Sequence, residues 1–370
     1  MRLVDSSPAL AQVARELSGQ PVLFIDTEFE STRDGRTLCL LQVSSGERVY
    51  LVDPLRVPKL DPLIPVFANP EVEWVLHAGQ QDVLLLREQF NLRETPRIFD
   101  TQIAWGLLGP EPSVSLAYLQ FRLLGLRAGK AHQADDWKRR PLPQSQLEYA
   151  ASDIEQLPAL RAALSERLSA KGRLPALFDA CHEALAPSQE PPPLLSLESF
   201  RNAWQLGAPS QAALEALIGW YNAQPAGGRI AAPAPKAMLA IASRLPETAD
   251  ELCRIKGVPM GFGKRHGAAL AALVREAARS AQSEGFRPID PEPYATFREI
   301  RLDAYLTTLR AEVCAQLELA PELALPMRVL RQLRGELLQG GSALSALPGW
   351  RGEVMGDAVK AHLERHPPPL

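Results

Sequence analysis

Cysteine is scarce in this sequence: Cys39, Cys181, Cys253 and Cys314 stand far apart among 370 residues, with no C-x-x-C pair. That spacing excludes a disulfide framework and a cysteine-ligated zinc site. The scattered His132, His182, His362 and His366 add no metal-ligand spacing. Long apolar runs are also missing, since no stretch approaches the ~18 residues of a membrane-crossing helix. The opening Met1-Arg-Leu-Val-Asp5 has no apolar segment behind a basic start. These absences predict a cytoplasmic protein without membrane association. An excess of charge is lacking too, because 40 Lys+Arg against 43 Asp+Glu leave −3. Summed over the chain, that balance argues weakly against a polyanionic partner.

Proline is abundant instead, with 33 residues, close to twice the usual ~5%. Its densest clusters, Glu190-Pro-Pro-Pro193 and Pro288-Ile-Asp-Pro-Glu-Pro293, stop helices and stiffen linkers. They divide the chain into 1–190, 198–287 and 290–370, within the two or three domains expected at roughly 150 residues each. In the first segment, apolar runs at 21–26, 38–43, 48–52, 73–77 and 97–100 read as strands, with helical spacing over 80–90 and from 101 to about 171. Strands hairpinned first and then alternating with helices predict a mixed sheet flanked by helices, an α/β domain. The other two segments read as all-α. Leu252-x-x-Ile255-x-Gly257 in one answers Leu344-x-x-Leu347-x-Gly349 in the other, as in a divergent tandem repeat.

The first strand ends abruptly in Asp26 and Glu28. Side chains two apart on a strand share a face, so both carboxylates can converge on one point. Asp82 opens the helix after His77-Ala-Gly-Gln-Gln, where an acid also complements the helix dipole. Tyr149 and Asp153 are i and i+4, neighbours on one helical face. Four acids meeting in a cleft repel one another unless cations neutralise them. Hard oxygen donors suit Mg²⁺ or Mn²⁺. Two such ions about 3.5–4 Å apart promote phosphodiester hydrolysis, with the tyrosine hydroxyl available to orient the attacking water.

Asp26-Thr-Glu-Phe29, His77-Ala-Gly-Gln-Gln-Asp82 and Tyr149-Ala-Ala-Ser-Asp153 resemble the three exonuclease motifs of the DEDD superfamily, in its tyrosine-bearing branch. Asp136-Trp-Lys-Arg-Arg-Pro-Leu142 with Gln146, Asn202-Ala-Trp-Gln-Leu206 and Gly349-Trp-Arg-Gly-Glu353 extend a resemblance to the ribonuclease D family over nearly the whole chain. The resemblance implies a ribonuclease H-like exonuclease domain (1–190) followed by two helical HRDC-type domains (198–287 and a divergent 290–370). It also implies 3′-to-5′ hydrolysis of RNA to nucleoside 5′-monophosphates in the trimming of tRNA precursors, by a monomer that needs no nucleotide cofactor. Asp26, Glu28 and Asp153 would hold one metal, Asp82 would help hold a second, and Tyr149 would complete the catalytic set. One departure stands out. Where the family continues with a basic residue and a Tyr-Tyr-Pro element, this chain reads Glu30-Ser-Thr-Arg-Asp-Gly-Arg-Thr37.

Charge by segment removes the objection to a polyanion. The three segments carry −5, +4 and −2, and four of the acids in the first are the metal-ligand candidates. Between Arg122 and Arg140 six basic residues, Lys130, Lys138, Arg139 and Arg140 among them, surround Trp137. Basic groups with an interleaved aromatic suit a single-stranded backbone and a stacked base; a solvated loop is the plainer reading. Lys256, Lys264 and Arg265 around glycines suit a helix-hairpin contact to nucleic acid. Gly257-Val-Pro-Met-Gly-Phe-Gly-Lys264 has the wrong glycine spacing for a Walker A loop. His77 is a candidate phosphate or sugar contact and equally a satisfied strand-end histidine. The rival functions are a DNA-directed 3′-to-5′ exonuclease and a non-catalytic RNA-binding scaffold.

Overall fold

Strands β1 (Arg2–Val4), β2 (Val22–Thr32), β3 (Gly35–Ser44), β4 (Val49–Val52), β5 (Glu73–Leu76) and β6 (Arg97–Asp100) form one sheet in the order β1-β4-β3-β2-β5-β6. The computed structural model describes residues 1–32, 35–57, 59–94, 96–127, 135–185, 192, 194–200, 202–283, 286 and 296–369. β2–β3 and β3–β4 pair antiparallel, whereas β1–β4, β2–β5 and β5–β6 pair parallel. All four residues of β4 and of β5 are buried, as are the last seven of β3. Such continuous burial belongs to strands covered on both faces. Helices α1 (Ser7–Leu17), α2 (Ile64–Phe67), α3 (Gln80–Gln89), α4 (Thr101–Gly106), α5 (Leu116–Leu124), α6 (Gln144–Glu155), α7 (Leu157–Ala170) and α8 (Leu174–Leu185) supply the cover.

Two features of this sheet depart from the sequence reading. The first is β1, whose three residues add a parallel edge to β4. The second is the stretch after Phe29, where β2 and β3 continue as a ribbon that pairs Glu30 with Thr37 and Ser31 with Arg36, beyond a register shift at Glu28/Phe29. The described residues of the segment that departs from the family pattern, 30–32 and 35–37, therefore extend the central strands.

Local capping sets the helices that carry acids. Asp100 ends β6 and caps α4 by accepting from the Gln102 and Ile103 amides at 2.8 and 3.3 Å. It also accepts from the amides of Ala78 (3.2 Å) and Gly79 (2.9 Å), ahead of α3. Ala78 sits at φ 52°, a left-handed turn that costs a non-glycine residue energy; the two bonds to Asp100 hold it there. A Cβ on Gly79 would lie 2.6 Å from that of Leu76, so only glycine lets the chain turn this closely into α3.

The chain divides into two compact units, one made of 1–187 with 297–370 and the other of 188–296. The second unit holds α9 (Ala208–Asn222), α10 (Ala226–Ala231), α11 (Pro235–Arg244), α12 (Ala249–Cys253) and α13 (Met260–Ser283) around Leu214, Leu217, Met238, Ile241, Leu252 and Val274. Gly257, at φ 95°, makes the turn between α12 and α13. The remaining helices are α14 (Phe297–Leu317), α15 (Pro321–Ala324), α16 (Met327–Leu338) and α17 (Trp350–Arg365). The sequence set 290–370 apart as a domain, but its described residues share the apolar core of the first unit. Arg351, 4% exposed, donates to the carbonyls of Ala324 (2.8 Å) and Leu323 (3.0 Å) and pairs with Glu183 of α8. Trp350 Nε1 also reaches Glu183, at 3.1 Å. From the other side, Arg173 donates to the Leu107 carbonyl at 2.8 Å and to that of Glu318 at 3.4 Å. The pairs Arg351–Glu183, Trp350–Glu183 and Arg173–Glu318 cross between the segments, so part of this polar network is completed only when the two pack together.

Candidate active site

β2 delivers Asp26 and Glu28 to one point, and α6, packed against β2, β3 and β4, delivers Asp153 to the same point. One carboxylate oxygen from each of the three lies within 4.8 Å of the others. Asp82, in the first turn of α3, stands beside this trio and is 9% exposed. The Thr27 hydroxyl donates to its Oδ1. Gln42, fully buried on β3 and opposite Asp26 in the ladder, approaches Asp26 Oδ2 through Nε2 at 3.5 Å. The Gln42 carbonyl oxygen has no partner among the described residues. Tyr149 is half-buried one turn before Asp153 and hydrogen-bonds to it.

The electrostatics follow from crowding acids where water is thin. Burial drives the Asp26 carboxyl well above the usual carboxylate range, reinforced by Asp82, Asp153 and Glu28. Burial also pushes Glu28 up to about 8, with Asp153, Asp82 and Asp135 adding to the effect. Asp153 rises to about 6 through burial, against the opposing hydrogen bond from Tyr149. Asp82 is raised by burial, and the Thr27 hydroxyl opposes the shift. The Tyr149 hydroxyl is pushed upward by burial and by the Asp153 charge beside it, so at neutral pH it keeps its proton and can donate.

Among the described residues no lysine or arginine forms an ion pair with Asp26, Glu28, Asp82 or Asp153. Clustered carboxylates without an internal counterion, beside an orphaned amide oxygen, make an all-oxygen donor set. That chemistry fits hard divalent cations and does not fit a sulfur- or nitrogen-bound metal.

The remaining sequence candidates scatter. His77 follows β5 with both ring nitrogens engaged, Nδ1 with Thr101 Oγ1 at 2.9 Å and Nε2 with the Val114 carbonyl at 3.0 Å. It is the satisfied strand-end histidine. Trp137, read as a stacking platform for a base, is 2% exposed and tilts against Tyr149 with ring centroids 6.3 Å apart. Its face is spent on the protein. Arg140, read as a phosphate contact, turns inward to Asp53 at 2.6 Å. Arg139 is exposed, and Lys130 lies outside the described residues. Lys256, Lys264 and Arg265 are exposed on the second unit, the last two on α13.

Thr27, Gln42, Asp100 and Asp135 escaped the sequence reading. The one visible signal was Gln42, a lone amide in the otherwise apolar Leu38-Cys-Leu-Leu-Gln-Val43.

The class follows from matching these elements to known proteins. Residues 1–169 match the 3′-5′ exonuclease family, and the mixed sheet with its flanking helices is the ribonuclease H-like fold of such enzymes. Ribonuclease D of Pseudomonas paraeruginosa is 31% identical over 370 aligned residues, covering 98% of this chain and 97% of that protein. Ribonuclease D of Escherichia coli is 28% identical over 386 residues, 99% of each chain. The crystal structure of Escherichia coli RNase D, described as an exoribonuclease involved in structured RNA processing, matches with a TM-score of 0.70 at 27% identity over 99% of both chains. The chain belongs to the ribonuclease D family and is a hydrolytic 3′-5′ exoribonuclease that uses divalent metal ions.

Proposed function

We propose that this chain shortens RNA from the 3′ end, releasing nucleoside 5′-monophosphates, and that its substrates are tRNA precursors with 3′ extensions. The observation that carries the reading is the convergence of Asp26, Glu28 and Asp153 within 4.8 Å, with Tyr149 bonded to the last of them. Asp26, Glu28, Asp153 and Asp82 would hold two Mg²⁺ or Mn²⁺ ions. When bound, such ions neutralise the carboxylates, lower the pKa of a water and stabilise the leaving oxygen of an in-line displacement.

The chain's own groups have distinct tasks. Tyr149 keeps its proton and donates a hydrogen bond to Asp153. Its hydroxyl oxygen can then accept a hydrogen bond from the attacking water, which orients that water toward the terminal phosphodiester. Thr27 holds the Asp82 carboxylate in place, and Gln42 holds that of Asp26. Partial burial keeps competing water from the reacting phosphate.

Residues 1–190 would form the exonuclease domain and 198–287 an HRDC domain, with 290–370 a divergent HRDC-type segment whose described residues pack into the first unit. Lys256, Lys264 and Arg265 give the first HRDC-type domain a cationic surface for the RNA backbone. We place the enzyme in the cytoplasm as a monomer; among the described residues no helix is long and apolar enough to cross a membrane.

The test is product analysis on a tRNA precursor with a 3′ tail and on matched single-stranded RNA and DNA, after EDTA treatment and after adding Mg²⁺ or Mn²⁺. Mononucleotide release from RNA, lost with EDTA and restored by metal, is the expected result. Faster release from DNA, or activity indifferent to EDTA, would overturn the reading.

A further inference from the structure

Among the described residues of the first unit, Arg140 makes an unusually large set of hydrogen bonds, all of them to protein groups. Its side chain is 16% exposed and that of Asp53 is 3%. Nε donates to Asp53 Oδ2 at 2.6 Å and Nη2 to Asp53 Oδ1 at 2.8 Å, a two-pronged pair. Nη2 also donates to the Cys39 carbonyl on β3 at 2.7 Å. Nη1 donates to the carbonyls of Trp137 (2.7 Å) and Arg139 (2.8 Å). One guanidinium thus ties a loop, 135–142, to β3 and to the end of β4. Only arginine offers this planar fork of five donors; a lysine cannot serve both Asp53 oxygens and three carbonyls.

The loop has two further anchors. The Asp136 carboxylate accepts from the Lys138 and Arg139 amides at 3.0 and 3.2 Å, closing a turn. Gln146, 4% exposed on α6, donates from Nε2 to Asp135 at 3.0 Å. Between these anchors sits Trp137, buried against the Tyr149 ring at an interplanar angle of 37°. Tyr149 is half-buried, packs against the core and hydrogen-bonds to Asp153 at its tip; Trp137 adds a wall beside the ring.

We propose that Arg140 is a positioning residue for Tyr149. It locks the 135–142 loop to the sheet, and the loop holds Trp137 as a brace behind the tyrosine ring. The idea rests on the role given to Tyr149 above. It replaces the reading of Arg140 and Trp137 as RNA contacts and assigns them to the turnover step.

The experiment is a double-mutant cycle on single-stranded RNA, with Arg140→Met, Tyr149→Phe and the pair together, each assayed well below its melting temperature. Removing the brace should lower kcat by about 10- to 100-fold, the usual penalty for misplacing a catalytic group by a fraction of an ångström to an ångström. KM and the salt dependence of binding should stay unchanged. In the Tyr149→Phe background, Arg140→Met should cost less than about twofold, since the group it positions is gone. Arg140→Lys should fail to rescue. Asp53→Asn, which keeps an acceptor for the Leu55 and Arg56 amides, should reproduce the kcat loss and carries the test if Arg140→Met does not fold. A raised KM with a shallower salt slope would return Arg140 to RNA binding and overturn the proposal. Equal losses in both backgrounds would show that it does not act through Tyr149. Full activity of Tyr149→Phe alone would fault the reading beneath it, whatever Arg140 does.

Discussion

Two sets of buried and half-buried acids in the first unit are built in opposite ways. Asp53 and Glu73, 2% and 6% exposed, are each met by arginine: Asp53 by Arg140, Glu73 by Arg161 at 2.6 Å and Arg97 at 3.5 Å. Asp26, Glu28, Asp82 and Asp153 gather around the middle of β2 with no such partner among the described residues. A buried charge is tolerable only when compensated. The first set is compensated within the fold and serves the fold. The second holds its protons more tightly than free carboxyls, with Glu28 at about 8, and its donor set suits compensation by divalent cations. Burial alone therefore does not mark a functional acid; burial without an internal counterion does.

The sharpest way to break this contrast is to substitute one acid from each set. Asp153→Asn should lower mononucleotide release by at least about 100-fold, the scale at which disturbed metal sites lose activity, while its melting temperature holds or rises. Glu73→Gln should do the reverse, losing of order 1 kcal/mol of stability, since Arg97 and Arg161 are exposed enough to stay hydrated without it, with turnover kept at low temperature. Tyr149→Phe comes next, with kcat down about 100-fold and KM unchanged if the hydroxyl serves only orientation.

Stability against pH sharpens the comparison further. A carboxyl raised in the folded state binds its proton more tightly there than in the unfolded chain. Its contribution is present below the unfolded value near ~4.3 and is lost as pH climbs through the folded value of about 8. The metal-free protein should therefore melt progressively lower between these limits. Glu28→Gln should flatten the decline and add of order 1 kcal/mol at pH 8, and divalent metal should erase the difference. Thermal melts across pH, with and without Mn²⁺, read all three. The smallest effect belongs to the second unit. Lys264→Gln with Arg265→Gln should weaken RNA binding severalfold and reduce the slope of log affinity against log salt by about 1–2, leaving kcat intact.

How much of this was legible in the sequence depended on whether a local pattern determines where a side chain points. Alternation on β2 put Asp26 and Glu28 on one face, and the i, i+4 spacing put Tyr149 beside Asp153; both follow from backbone geometry alone. The same was true of the apolar runs that became β3, β4, β5 and β6. Trp137 and Arg140 were misread because a basic stretch with an aromatic looks the same facing solvent or facing a sheet. Only the acceptors at Asp53 and Cys39, some 90 to 100 residues earlier in the chain, decide which way they turn. β1 was missed because three residues carry too little periodicity and are held by their ladder to β4. The two helical segments share a Leu-x-x-Ile/Leu-x-Gly pattern. That pattern did not show that Trp350 and Arg351 bury themselves against α8.

The central claim, that the carboxyls gathered at the middle of β2, on α3 and on α6 hold protons more tightly than free carboxyls and give them up to cations, is tested most directly by calorimetry. Mn²⁺ is titrated into metal-free protein near pH 7 in buffers of different ionisation enthalpy. Because carboxylates must lose protons to become ligands, binding should release protons, seen as a heat that varies with the buffer, and Asp153→Asn should weaken both the binding and the release. Tight Mn²⁺ binding with no proton release, or binding indifferent to Asp153→Asn, would contradict the account.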